Sequence, residues 1–269
     1  MVVVTAFALA FPSIIIVSAL TLNNPSLMLP NSTLANITSS NYIHTCDGSF
    51  YGYDLNPMSC IEALTQIDAS STTQQTYGPR LAGRFDVKLP KRYISLSGLC
   101  IIEPRVKNGK SSARASLQEV ESAAAYIIDE CVNGEPSQGG ELHNIGGDNN
   151  LNIIVEKYEP QVQCSGAVSP SLLSSCQNIV DTMPASRDFT TWGPPDDPLA
   201  VVKLPLTYYS LDRRCKLSIR TDGLTDTYSR YQFWTTAVAL TGICVRSGRV
   251  GVRDHLGLSD HLSMEIGPA

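Results

Sequence analysis

Three observations predict an α+β fold: two tandem β-α-β-β-α-β modules, each a split-βαβ α/β sandwich stapled by two disulfides. The eight cysteines form two sets of four, with successive gaps of 14, 40 and 31 residues in the first set and 12, 39 and 29 in the second. The segment Val87–Cys100 aligns without a gap on Val202–Cys215, and eight of the fourteen positions are identical. Capping boxes at 116–119 and 229–232 each lie fifteen residues before the last cysteine of their set. These regularities indicate an internal duplication.

Composition excludes several classes of protein. The chain has 269 residues, of which 43% are hydrophobic and 17% are charged, and a formal net charge of −5. This much apolar sequence builds a core, which excludes a disordered protein, and the acidic balance excludes a nucleic-acid binder. No spacing of His, Cys and carboxylates matches a metal site, and no cofactor is expected.

Residues 1–19 are predicted to be a cleaved signal peptide. They contain no ionisable side chain and end in Val17-Ser18-Ala19, small residues of the kind that a signal peptidase reads. The alternative, a membrane anchor, is less favoured because no Lys or Arg flanks the segment and Pro12 shortens its apolar core. Residues 20–42 are expected to be a disordered tail glycosylated at Asn31 and Asn36, both in N-x-Ser/Thr sequons. The predicted product is secreted and has no stable membrane span.

The first helix of each module is marked by a polar residue followed by proline. Asn56-Pro57 and Ser169-Pro170 supply a cap and a proline for the first turn. Apolar residues recur three, four and seven positions after Cys60 and Cys176, which places each cysteine on the buried face. The second helices run from the capping boxes to Cys131 and Cys244, where glycines follow.

The strands are predicted by short apolar runs. One surrounds the first cysteine of each module, and the others cover 85–89, 99–106 and 151–158 in the first module and 199–204, 215–220 and 262–266 in the second. Two β-α-β crossovers then give a four-stranded antiparallel sheet with both helices on one face. Module 1 spans 43–161 and module 2 spans 162–269. The connection 159–163 is so short that we expect the modules to pack directly, about a pseudo-two-fold axis.

This topology selects a pairing of the cysteines. Cys60, on the sheet-facing side of the first helix, faces the strand that begins at Cys100, so these two are paired. Cys46 is left for Cys131, which ends the second helix at the same end of the sheet. By the repeat, Cys176 pairs with Cys215 and Cys164 with Cys244, and no bond joins the modules.

Candidate chemical motifs favour structural interpretations. The loop 108–111 lacks the first glycine of a phosphate-binding loop, and 146–150 lacks the ligand spacing of a calcium loop. No G-x-S-x-G elbow occurs, and none of the four histidines recurs in both modules. Asp196-Asp197 lies in a proline-rich loop, where solvated carboxylates need no catalytic role. We therefore predict no catalytic, cofactor or metal residues and no enzymatic activity.

The cysteine and serine pattern resembles the fungal secreted effectors related to the killer toxins of smut fungi. The matching segments in module 2 are Cys164, Ser175-Cys176, Ser210–Cys215 and the G-R-V-G at 248–251, and module 1 matches through its cysteines and Ser95–Cys100. The resemblance implies a small split-βαβ sandwich and a role in toxicity, host necrosis or ion-channel interference.

We therefore expect an effector or toxin-like protein that binds a protein or glycan target on a host or competitor cell. One alternative is a cell-wall or glycan-binding protein, suggested by the loop aromatics Tyr51, Tyr53, Tyr77 and Trp192. A second alternative is a secreted hydrolase. Because the repeated residues are those that a fold requires, any function is expected in the divergent loops or between the modules.

Overall fold

A computed structural model describes residues 43–80 and 84–269, so the predicted signal peptide, the tail and Asn31 and Asn36 lie outside the described residues. The elements of module 1 are β1 (His44–Cys46), α1 (Gly48–Tyr51), α2 (Pro57–Leu64), β2 (Gln75–Pro79), β3 (Val87–Leu89), β4 (Tyr93–Ile94), β5 (Cys100–Val106), β6 (Ala113–Ala115), α3 (Leu117–Ile127), a π-helical turn (Ile128–Val132), β7 (Gly140–Ile145) and β8 (Leu151–Lys157).

Module 2 has a matching series. Its elements are β9 (Gln163–Ser165), α4 (Leu172–Thr182), β10 (Phe189–Gly193), β11 (Val202–Lys203), β12 (Leu206–Tyr209), β13 (Cys215–Thr221), β14 (Asp226–Ser229), α5 (Arg230–Ala239), a π-helical turn (Leu240–Val245), β15 (Val250–Leu256) and β16 (Leu262–Pro268). The central sheets have the strand orders β1-β7-β8-β5-β4 and β9-β15-β16-β13-β12. Each is accompanied by a three-stranded sheet, β3-β2-β6 or β11-β10-β14.

The fold is thus mixed helix and sheet, but the prediction of a four-stranded sheet is wrong. Each central sheet has five strands, and two strands of each, β4 and β7 in module 1 and β12 and β15 in module 2, were not predicted. The run at 85–89 also does not join the central sheet. Its ordered part, β3, pairs parallel with β2, and β4, which follows Pro90, takes the edge of the central sheet. The run at 199–204 behaves in the same way, with β11 pairing parallel with β10.

Most of the predicted helix boundaries agree with the structure. The Asn56 side chain accepts the Ser59 N–H, and both capping boxes are formed, at Ser116 and at Ser229. Ser169 is not the cap of α4. The backbone N–H of Leu172 donates to the Ser169 carbonyl in a tight turn, and the α-helix begins two residues later than expected from Pro170.

The structure contains four disulfides, and their pairing is the one predicted from the topology. They link Cys46 to Cys131, Cys60 to Cys100, Cys164 to Cys244 and Cys176 to Cys215. Each therefore joins residues of a single module. The bonds of Cys60 and Cys176 attach α2 and α4 to the central sheets. The other two bonds attach β1 and β9 to the π-helical turns that follow α3 and α5.

The two modules are packed together, as expected from the short connection. Alternate residues of β5 point to opposite faces, so that Ile102 lies in the core of module 1 whereas Ile101 lies in the core of module 2. Ile94 of β4 is also buried in the module 2 core. The sheet of module 1 is therefore covered on one face by its own helices, and module 2 packs against the other face at β4 and β5.

Polar contacts fix this interface. Arg80 Nη1 donates to the Val180 carbonyl at 2.7 Å, and Arg246 Nη1 donates to the Ile94 carbonyl at 3.0 Å. Arg92 is paired with buried Glu103 at 2.6 Å and donates to the Tyr231 hydroxyl at 3.1 Å. Burial alone would raise the pKa of Glu103, but Arg92 and Arg105 outweigh it and lower that pKa below its ordinary range.

The predicted pseudo-two-fold arrangement is wrong. Module 1 uses the edge of its sheet, at Ile94, and module 2 uses its helices, around Trp234. The equivalent sheet edge of module 2 carries Tyr209, which is 59% exposed. Two different surfaces thus meet, which is a heterologous contact rather than a self-complementary one.

Candidate functional site

Five exposed apolar side chains lie around the three-stranded sheet of module 2, and we call them the loop patch. Three loops contribute to it, covering 194–201, 222–225 and 257–261, together with the first residue of β10. The members are Phe189, Leu199, Val201, Leu224 and Leu258, which are 61%, 73%, 76%, 55% and 70% exposed. Single exposed apolar residues are ordinary, but a group of them marks a contact surface.

Backbone hydrogen bonds bring these residues together. The Val201 N–H donates to the Thr191 carbonyl at 3.1 Å, and the Leu258 N–H donates to the Thr227 carbonyl at 3.2 Å. Thr191 and Thr227 are direct partners in the β10–β14 pair. Because neighbouring strands lie about 5 Å apart, Val201 and Leu258 flank a strip of sheet only about 15 Å wide. Phe189 lies on the same face of β10 as Thr191.

Gly193 allows two of the loops to cover this sheet closely. A Cβ at this position would overlap the Thr225 hydroxyl and would lie 3.0 Å from the Ala200 Cβ. Gly193 lies in the triplet Trp192-Gly193-Pro194, which recurs in module 1 as Tyr77-Gly78-Pro79, and the close approach explains why glycine is needed at position 193. The equivalent Gly78 has the Phe85 ring against it instead.

Three aspartates hold the loops in place. Asp226 is buried, and its carboxylate accepts the backbone N–H groups of Leu258, Ser259 and His261 at 3.0–3.1 Å. Asp197 accepts the Leu199 N–H at 2.9 Å and the Thr225 hydroxyl. The hydrogen bond from Thr225 lowers the pKa of Asp197, so this carboxylate stays ionised.

The third aspartate, Asp222, links two loops through a histidine. His261 Nδ1 lies 3.0 Å from Asp222 Oδ2, and this hydrogen bond lowers the pKa of Asp222. Asp222 also accepts the Leu224 N–H at 3.2 Å. The loops are thus ordered before any partner arrives, which reduces the entropy cost of binding.

Module 1 shares a backbone hydrogen bond of these loops, but its described loop residues lack the patch. The Gly147 N–H donates to the Arg114 carbonyl at 3.1 Å, exactly as Leu258 does to Thr227, but glycine replaces the leucine. Asp148 accepts the backbone N–H of Asn150 in its own loop and that of Arg114 in β6, each at 3.1 Å. None of the exposed large apolar residues of module 1 lies in the described parts of these loops.

The loop aromatics named as glycan candidates separate into two groups. Tyr77 and Trp192 are buried, so they cannot form a binding platform. Tyr53 is exposed, and Tyr51, whose hydroxyl donates to Glu141 at 2.6 Å, lies against the ring of Phe50, which is 82% exposed. A shallow pocket of about 390 Å³ lies next to this group, lined by residues 48–52, Glu156, Lys157 and Glu159.

The histidines have separate environments. His44 contacts Tyr126, His143 lies 3.6 Å from Glu141, and His261 contacts Asp222. Within residues 43–80 and 84–269, no group of three or more His, Cys, Asp or Glu side chains could hold a metal ion. In the same part of the chain, no helix is both long and apolar enough to cross a membrane.

Two small cavities lie between the modules, on either side of the Lys91–Asp181 ion pair. Their volumes are about 230 and 310 Å³, and Lys91 and Tyr93 line both. Burial raises the pKa of Tyr93 to about 12, so its hydroxyl stays protonated.

The sequence led us to expect any function in the divergent loops or between the modules, but it did not identify the loop patch. Leucine and valine in loops look like ordinary hydrophobic residues when the sequence is read alone. The available signal was the comparison of repeats, which sets Leu258 against Gly147. No protein-family model, curated protein or solved structure matches this chain.

Proposed function

We propose that the chain is a secreted effector or toxin-like protein that acts by binding a target on another cell, without catalysis. The loop patch is the observation that carries the proposal. Exposed apolar side chains cost solubility, and this group is held by three aspartates on loops whose module 1 counterparts carry no exposed large apolar side chain in their described residues. A contact surface explains both features.

The remaining features of the proposal follow from the sequence and fold together. The matching strand orders of the two modules support a tandem duplication of a split-βαβ unit. Four disulfides are typical of an oxidising compartment and support secretion after removal of residues 1–19. The tail would then carry glycans at Asn31 and Asn36.

Binding to living cells tests the proposal. Labelled protein is added to plant protoplasts and to fungal cells, and bound label and cell death are measured up to micromolar concentration. We expect the double variant Leu199→Asp/Leu258→Asp to bind at least tenfold more weakly, because two charges would have to be buried in the contact. Both positions are exposed, so the thermal unfolding temperature should stay unchanged.

Leu211→Asp is the matched control. Leu211 is 88% exposed in module 2 but lies in the turn before β13, whereas the loop patch lies at the other end of that strand, about 20 Å away. This variant should bind like the wild type. If the wild-type protein neither binds nor harms any of these cells at micromolar concentration, the proposed function is wrong.

Glycan binding is the second candidate, because the exposed ring of Phe50 lines the pocket that Glu156, Lys157 and Glu159 also line. A pull-down on chitin, glucan and mannan separates it from the first. Retention on one polysaccharide that is lost in Phe50→Ala but kept in Leu199→Asp/Leu258→Asp would favour this candidate.

A further inference from the structure

The rim of the loop patch is acidic. Its three loops contain four carboxylates that are exposed or half exposed, and Lys203, whose ammonium group donates to the Asp197 carbonyl, is a cation beside them. The carboxylates are Asp196, Asp197, Asp222 and Asp260. Next to Phe189, the opposite charges of Arg187 and Asp188 cancel each other. An apolar centre is therefore surrounded by negative charge.

The corresponding end of module 1 has the opposite charge. Its described exposed cations are Arg84, Lys88, Lys107, Lys110 and Arg114, against the carboxylates of Asp86 and Asp148. The acidic rim is therefore not a requirement of the fold. It occurs together with the apolar side chains, on the same loops of the same module.

We propose that the loop patch binds a protein surface in which an apolar depression is surrounded by Lys and Arg side chains. This inference rests on the proposed function and specifies its partner. The apolar side chains would supply the dehydrated centre of the contact, and the rim would select the partner and speed its association. An anionic membrane surface is disfavoured as a partner because the four carboxylates would be repelled by it.

Two of the rim carboxylates can be neutralised without disturbing the loops. Asp196 and Asp260 make none of the hydrogen bonds that hold the loops, and asparagine tolerates the positive φ of 64° at position 260. In Asp196→Asn/Asp260→Asn we expect cell binding to associate about tenfold more slowly at low salt, with little change above 0.3 M NaCl. Asp129→Asn/Glu130→Gln makes the same change of charge on an exposed turn of module 1 and should bind like the wild type.

The source of the binding is tested on the same protoplasts and fungal cells before and after trypsin, which removes surface proteins by cleaving at Lys and Arg. Vesicles of phosphatidylcholine with 30% phosphatidylserine are the membrane probe, and sedimentation velocity tests for a second copy of the chain. We expect trypsin to abolish binding, the vesicles to bind no protein, and the chain to remain monomeric.

The inference is overturned if binding survives trypsin, if the vesicles bind the protein, if the chain self-associates through the patch, or if Asp196→Asn/Asp260→Asn binds as well as the wild type. When Leu199→Asp/Leu258→Asp alone abolishes cell binding, the proposed function stands and only this choice of partner fails. Absence of any cell binding by the wild-type protein removes both.

Discussion

Ser95 and Ser210, each five residues before a cysteine, have the same structural role in both modules. The Ser95 hydroxyl accepts the Cys100 N–H at 3.2 Å, and the Ser210 hydroxyl accepts the Cys215 N–H at 3.0 Å. Each braces the hairpin to which a disulfide attaches the first helix. The serines that suggested a family resemblance are thus explained by local structure.

The residue two positions after each of these serines differs between the modules. In module 1, Ser97 donates to Ser95 or Ser59, with both oxygens 2.9 Å away. In module 2, Asp212 takes this position and accepts hydrogen bonds from Ser175 and Ser210 at 2.6 Å each. Those hydrogen bonds, the one from Ser175 first, lower the pKa of Asp212 from 3.8 to about 2.

Asp212→Ser, which copies module 1, should flatten the acid dependence of stability. A carboxyl group whose pKa is lower in the folded state than in the unfolded state stabilises the fold above about pH 4, and this contribution is lost as the pH falls towards 2. We expect the free energy of unfolding, measured with urea between pH 2 and pH 5, to fall less steeply in the variant. Equal slopes in the two proteins would contradict the role given to Asp212.

At the scale of elements, the capping residues were the most reliable guide. A serine that accepts the N–H three residues later supplies a partner that the first turn otherwise lacks. Ser116 and Ser229 do this in the structure, and the sequence pattern identified both because it depends on local spacing alone. Ser171, the residue before α4, makes no such bond.

Ser229→Ala should therefore lower the free energy of unfolding by about 1 kcal/mol, the usual cost of removing a cap. Ser171→Ala is the control, since it makes the same change at a helix start without a side-chain cap and should change stability by less than about 0.5 kcal/mol. Thermal and urea denaturation measure both. An equal loss in the two variants would show that the capping box of α5 contributes nothing.

Two strands that the sequence did not predict, β7 and β15, escaped prediction for the same physical reason. In β7 the register shifts between Leu142 and Ile145, and in β15 it shifts between Arg253 and Leu256. At each shift one residue has a positive φ, Asn144 at 63° and His255 at 58°. A bulge breaks the two-residue alternation by which a strand is recognised, so neither run showed a strand pattern.

The three-stranded sheets escaped prediction for a different reason. Their strands are two to five residues long, and β11 consists of Val202 and Lys203 alone. Such segments are defined by what they pair with, which depends on long-range contacts. The same holds for the loop patch, since Val201 and Leu258 become neighbours only through the pairing of β10 with β14.

On the scale of the whole molecule, the repeat has an asymmetric joint. Ile94 packs against a surface of module 2 that includes Trp234 and Gly242. The aligned positions of module 1 are Glu121 and Asp129. A Cβ at Gly242 would overlap Ile94 Cγ2, so an aspartate at this position blocks an equivalent contact. The helices of module 1 therefore cannot bind the edge of another sheet in the same way. A heterologous contact can in principle be repeated from one module to the next, and this difference limits it to the two modules.

Gly242→Ala tests this contact between the modules, because the local effect of the substitution on stability and its effect on the contact have opposite signs. Alanine in a helical turn is ordinarily stabilising by about 0.5–1 kcal/mol relative to glycine. Against Ile94 we expect instead a loss of about 1–3 kcal/mol, because a well-packed interface cannot admit a further methyl group. Gly147→Ala is the control, since its Cβ would meet only Gln74 Oε1, at 3.7 Å, and should leave stability nearly unchanged.

A double-mutant cycle then assigns the loss to the contact between modules. Ile94→Ala alone should cost about 2–5 kcal/mol, because it leaves a cavity in the module 2 core. In Ile94→Ala/Gly242→Ala the added methyl group has room, so the combined loss should be smaller than the sum of the single losses by at least 1 kcal/mol. Calorimetry and urea denaturation of the four proteins measure this coupling. Strictly additive losses would mean that Ile94 and Gly242 do not touch, and the fixed packing of module 1 against module 2 would have to be abandoned.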